Sequence, residues 1–128
     1  MIYLDTSVAL AHLLSEDRRP PDRLWDDSVV SSRLLEYELW NRIHARDLAG
    51  THAEDARGLV GRIALLELTP HVLARALEPF PVAVRTLDAL HLASAEFLRA
   101  RGQDVYMATY DDRMKAAADR MGIASYDA

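Results

Sequence analysis

The chain is 128 residues long, half hydrophobic, carries a formal net charge of −5 and contains no cysteine. A chain of this size and composition is expected to bury a core of its own as one domain over residues 1–128. The missing thiols exclude disulfides, thiol catalysis and Cys-ligated zinc or iron–sulfur centres, while the acidic balance argues against a general coat for nucleic-acid phosphates but allows a local basic patch or a metal ion. No apolar run reaches the ~20 residues of a membrane span, and "MIYLDTS" lacks the basic start of a signal peptide. A cytoplasmic protein is expected.

In chain order, "IYL" (2–4) reads as a short buried strand, and Val8, Leu10, Ala11 and Leu14 give the segment 7–14 an apolar helical face. "SEDRRPPDR" (15–23) is a charged loop whose prolines stop that helix, and "SVVSS" (28–32) reads as a second strand. Leu34, Leu35, Leu39, Trp40, Ile43 and Leu48 recur at three- and four-residue spacing, predicting a helix over 34–48 that Gly50 ends. Thr51 is the expected cap of a further helix through Leu66. "ELTP" suggests a strand end, 70–78 a short helix and "PFPV" (79–82) a break. Leu87, Leu90, Ala93, Phe97 and Leu98 predict a helix over 86–101, stopped by Gly102. "DVYMATY" (104–110) reads as a strand, 112–121 as a helix and "IASY" (123–126) as a last strand. Short apolar strands alternating with helices predict an α/β domain with a mainly parallel central sheet in three layers.

Parallel sheets bind ligands at the carboxyl ends of their strands. Asp5 follows the first strand and Asp111 follows "VYMAT". Asp88 lies in the first turn of the 86–101 helix, and Glu38 lies near the apolar stripe of the 34–48 helix. Taken singly, Asp5 and Asp111 suit helix N-caps, Asp88 suits a helix N-terminus and Glu38 suits an i,i+4 pair with Arg42. Taken together they form a set that capping does not require, because one of the four comes from a helix interior. Carboxylates gathered at one edge repel one another unless a cation stands among them. All-oxygen ligation suits Mg²⁺ or Mn²⁺ and the hydrolysis of phosphodiesters.

The segments "MIYLDTSVAL", "SSRLLEYEL", "TLDALHLASA" and "ATYDDRMKAAA" resemble, in this order and spacing, the acidic motifs of PIN-domain proteins, and the chain looks like the VapC toxins of bacterial type II toxin–antitoxin pairs. The resemblance implies a PIN-like fold and a Mg²⁺- or Mn²⁺-dependent endoribonuclease, restrained by a VapB-like antitoxin and working as a homodimer. It places the four family acids on Asp5, Glu38, Asp88 and Asp111. Glu36 is the register alternative to Glu38; Asp112 is the alternative to Asp111, and otherwise a helix cap. Thr6, Ser7 and Thr109 are candidates to orient the carboxylates or metal-bound water.

His91, one turn after Asp88, is a candidate base or ligand, although a packed, hydrogen-bonded role is the stronger expectation. The remaining histidines share no metal-binding spacing. Arg18, Arg19, Arg23, Arg42, Arg46, Arg113 and Lys115 are candidates for RNA phosphates, with plain solvation as the competing reading. Trp25, Trp40 and Tyr37 are candidates for base stacking or partner packing, with core packing expected of Trp40. Two other functions stand beside the toxin: a PIN-type RNA-processing nuclease and a non-catalytic regulatory module whose acids only cap helices. A phosphotransferase with Asp5 as nucleophile would want a second acid two residues on, where Ser7 stands.

Overall fold

Successive strand residues point to opposite faces of a sheet, and the first strand uses this to build two cores. Ile2 and Leu4 join one apolar cluster with Val8, Leu13, Leu35, Leu39, Ile43 and Leu59. Tyr3 joins the other with Leu92, Ala95, Met107, Met114 and Ala117. The computed structural model describes all 128 residues, Met1–Ala128. Its elements are β1 (Ile2–Leu4), α1 (Thr6–Leu13), a 3-10 turn (Asp22–Asp26), β2 (Val29–Ser32), α2 (Leu34–Ala45), α3 (Ala49–Val60), β3 (Ala64–Leu66), α4 (Pro70–Ala76), α5 (Thr86–Ala100), β4 (Tyr106–Ala108), α6 (Asp112–Arg120) and β5 (Ala124–Ser125). The five strands form one sheet in the order β3-β2-β1-β4-β5, and every neighbouring pair is parallel. Helices α1, α2 and α3 cover one face and α5 and α6 the other, giving three layers. No helix is long and apolar enough to cross a membrane.

Two boundaries differ from the sequence expectation. Gly50 does not end the second helix, nor does Thr51 cap the third. The break comes earlier, at Asp47, which takes a left-handed φ of 54°, and the Leu48 N–H closes the turn onto the Ile43 carbonyl at 2.9 Å. Aspartate tolerates this conformation better than most side chains, so α3 starts at Ala49 and Gly50 lies inside it. The segment around Leu66, read as the end of that helix, is β3, which pairs with β2 from Val30↔Ala64 to Ser32↔Leu66. Ile63 and Leu66 fit a helical stripe, but the open edge of β2 offers backbone partners to the segment from Ala64 to Leu66. Gly102 does end α5, with φ at 89°.

Candidate active site

The strand order reverses at β1, whose neighbours continue outward as β2–β3 on one side and β4–β5 on the other. The carboxyl end of such a strand is where a parallel sheet leaves a crevice, and Asp5 occupies it. Its N–H donates to the Ala108 carbonyl at 2.9 Å, so the backbone stays tied to β4 one step past the strand. Asp5 is only 5% exposed, and its Oδ2 accepts from Ser7 Oγ at 2.6 Å and Thr109 Oγ1 at 2.8 Å. Oδ1 has no protein donor. Although Asp5 stands at the cap position of α1, its side chain makes no capping bond. Ser7 Oγ also accepts the Tyr110 N–H at 3.1 Å, which joins the ends of β1 and β4.

Glu38 reaches the same region from α2. Its Oε1 accepts from Thr6 Oγ1 at 2.7 Å and from His91 Nε2 at 2.6 Å. His91 is fully buried, and its Nδ1 lies 2.8 Å from the Tyr3 hydroxyl. Burial holds the Tyr3 phenol far above its ordinary range, so it keeps its proton. The Tyr3 hydroxyl and Nδ1 share a hydrogen bond, and Nε2–H donates to Glu38, so the ring is held at both nitrogens. Burial alone would raise the Glu38 carboxyl, but the bonds from His91 and Thr6 outweigh it and bring it below its ordinary value.

Asp88, in the first turn of α5, has no such support. Its carboxyl is pushed above its ordinary value, first by burial and then by the charges of Asp5 and Asp111, with Glu38 adding a smaller push. Asp111 precedes α6 and caps it, Oδ1 accepting the Met114 N–H at 2.9 Å, while its own N–H donates to Thr109 Oγ1 at 3.0 Å. Oδ2 has no protein donor. All four acids line one cavity of about 470 Å³, together with Thr6, Ser7 and Tyr110.

The alternatives lie elsewhere. Glu36 pairs with Arg33 at 3.3 Å and does not line this cavity. Asp112 is not the cap of α6: Asp111 is, and Asp112 is exposed on the first helical residue. Tyr37 is exposed, whereas Trp40 packs against the core beneath α2 and α3. The part played by Tyr3 escaped the sequence reading, since nothing local links it to a histidine 88 positions away. Asn41 and Glu16 also line the cavity without a sequence signal to single them out.

The donor set suits a hard divalent cation. Asp5, Glu38 and Asp111 are each anchored through one oxygen with the other free, and Asp88 is free at both. Their mutual repulsion, visible at Asp88, is what a cation would relieve. No three His, Asp or Glu side chains close into a ready-made cage, so the acids form a cavity wall. Mg²⁺ tolerates this because it keeps several of its waters.

Residues 2–120 match the PIN-domain family. The chain belongs to the PIN-domain family. It is similar to Ribonuclease VapC47 of Mycobacterium tuberculosis, at 31% identity over 98% of this chain and 95% of that protein. It is also similar to Ribonuclease VapC46 of the same species, at 33% identity over 96% and 94%. Among solved structures, the fold resembles that of M. tuberculosis VapC20, a sarcin–ricin loop cleaving toxin. The TM-score is 0.64 at 20% identity, covering 91% of this chain and 95% of that one.

Proposed function

We propose that this PIN-domain chain is the VapC-type toxin of a toxin–antitoxin pair: an endoribonuclease that hydrolyses RNA phosphodiester bonds with Mg²⁺ or Mn²⁺. Its partners are an RNA substrate, a VapB-like antitoxin and a second copy of itself, in the cytoplasm, with residues 1–128 acting as one catalytic domain. The observation that carries this reading is the common cavity of Asp5, Glu38, Asp88 and Asp111, each with at least one carboxylate oxygen that no protein group occupies. The similarity to ribonucleases over nearly the whole chain supports the reaction class.

Asp5, Glu38, Asp88 and Asp111 would hold the metal. Bound there, it supplies positive charge to a phosphoryl oxygen and lowers the pKa of a coordinated water. The protein's own contribution is pre-organisation. Ser7 and Thr109 fix one oxygen of Asp5. Thr6 and His91 fix one oxygen of Glu38, and the hydrogen bond between Tyr3 and His91 Nδ1 holds the ring that donates to it. Such support around a ligand is commonly worth tenfold or more, on the order of 10–100-fold, in metal affinity or activity.

The non-catalytic reading needs acids that serve only as caps. Asp111 does cap a helix, but the side chains of Asp5, Glu38 and Asp88 do not. The test is RNA cleavage by purified protein with Mg²⁺ or Mn²⁺, beside EDTA and Asp88→Asn controls, with Mn²⁺ binding followed by calorimetry on the same samples. Cleavage lost in both controls is expected. Wild-type protein that neither cuts RNA nor binds Mn²⁺ would defeat the proposal.

A further inference from the structure

Asp88 and Asp111 face two cavities. The first, described above, also carries Arg42, in the last turn of α2, and Arg46, which caps that helix at its C-terminus; both are exposed. A second cavity of about 450 Å³ is lined by Arg85, Asp88, Asp111, Asp112 and Arg113, without a hydrophobic residue. Asp88 and Asp111 line both and therefore form the wall between them. Arg85 stands immediately ahead of α5 and Arg113 in the first turn of α6. None of the four arginines is ion-paired, although carboxylates line the same cavities; the ion-paired arginines are Arg33 and Arg75, elsewhere.

This distribution is unlike a solvated charge pattern in which arginines neutralise neighbouring acids. The acids keep their excess negative charge at the centre, and the free guanidiniums stand on either side. A polyanion would be repelled at the centre without a cation there, yet held on both flanks, where a guanidinium fork matches phosphate oxygens. A ligand satisfying both features is long, carries negative charges at intervals and crosses the acidic wall.

We infer that the two cavities are one track for single-stranded RNA. It holds a phosphate between Arg42 and Arg46 on one side of the cut and another between Arg85 and Arg113 on the other. The scissile phosphate lies over Asp88 and Asp111. The inference rests on the nuclease reading for the cut, but the track itself is a statement about binding and is tested separately.

The paired variants Arg42→Gln/Arg46→Gln and Arg85→Gln/Arg113→Gln are compared with wild type on a cleaved single-stranded RNA, and by fluorescence anisotropy of labelled RNA in an Asp5→Asn background. Each pair should raise KM about tenfold and leave kcat within about twofold, the mark of uniform binding. Each should lower the slope of log affinity against log salt by about 0.7, from the one phosphate on a single strand that the pair no longer neutralises. Shortening the RNA on one side of the cut should abolish the effect of one pair, and shortening it on the other side the effect of the other pair. Arg85→Lys/Arg113→Lys, which keeps the charges, should restore most of the salt slope, separating phosphate contact from damage to the fold. If both pairs respond to the same end, or the Arg85/Arg113 pair changes neither KM nor salt slope, the track is overturned while the nuclease stands. If wild type binds RNA through both pairs without cutting it, the nuclease reading fails and the track stands. Absence of RNA binding overturns both.

Discussion

Glu38 and Asp88 face one cavity from two helices, and their surroundings push them in opposite directions. Both are partly buried, and burial raises the pKa of each carboxyl. On the Glu38 side, donors from Thr6 and His91 reverse that effect. On the Asp88 side no donor is present, and the neighbouring acids add to the burial. The cavity therefore has a braced side, where donors hold the carboxylate, and an open side, where repulsion is left unrelieved. Catalytic sites often separate paired carboxyls in this way.

The largest effects test what the two sides share. Asp5→Asn and Asp88→Asn should each reduce RNA cleavage at least about a hundredfold, as losing one preorganised charge-stabilising group does, measured as kcat/KM with Mg²⁺. The same variants part company without metal: Asp88→Asn relieves repulsion and should melt at a higher temperature than wild type in EDTA. A lower melting temperature would remove the open side from the comparison.

Next in size is the brace. Tyr3→Phe leaves His91 Nδ1 without its hydrogen-bond partner and should weaken Mn²⁺ binding by about tenfold, read by calorimetry, through a residue that lies outside the cavity lining. Glu38→Ala takes the shared acceptor from the Thr6 O–H and the buried His91 Nε2–H, which are left only with each other at 3.3 Å, and should cost about 1–3 kcal/mol of stability in urea. Asp88→Ala strands no donor and should not.

Acid titration of stability is a finer measure. The folded Glu38 carboxyl titrates below its ordinary 4.5, so its stabilisation is present above that value and drains as pH falls through the folded pKa. The folded Asp88 carboxyl titrates above its ordinary 3.8, so the folded state gains stability as pH falls from neutral through the raised pKa. Urea midpoints in EDTA should show Asp88→Asn without that gain and Glu38→Gln with a shallower loss below about pH 4.5. Smallest of all, Glu36→Gln and Asp112→Asn should leave kcat within about twofold; a large loss at either would move a ligand off its assigned position.

Much of this arrangement was legible along the chain, and the exceptions have a common form. The strands at 2–4 and 28–32, the helix from 86 and the order of alternation follow from short-range apolar spacing, because strand and helix periods are local properties. The third strand was misread as helix because Leu66 continues the helical spacing of Ile63, and only the pairing of Ala64–Leu66 with β2 decides against it. Likewise, the choice of Glu38 over Glu36 follows from where α2 packs: the same turn sends one acid to Arg33 and the other to Thr6 and His91.

By itself, then, the sequence determined which chemical groups are present, which strand ends and helix starts carry acids, and that the chain alternates strand with helix. Tertiary structure alone decided which oxygen of each acid is occupied, which acid is braced and which repelled, and that Tyr3 holds the His91 ring. The reason is one of range. Helix and strand periods are written in neighbours a few residues apart, whereas the bond from Tyr3 to His91 spans 88 positions and exists only because β1 lies beneath α5 on the second face of the sheet.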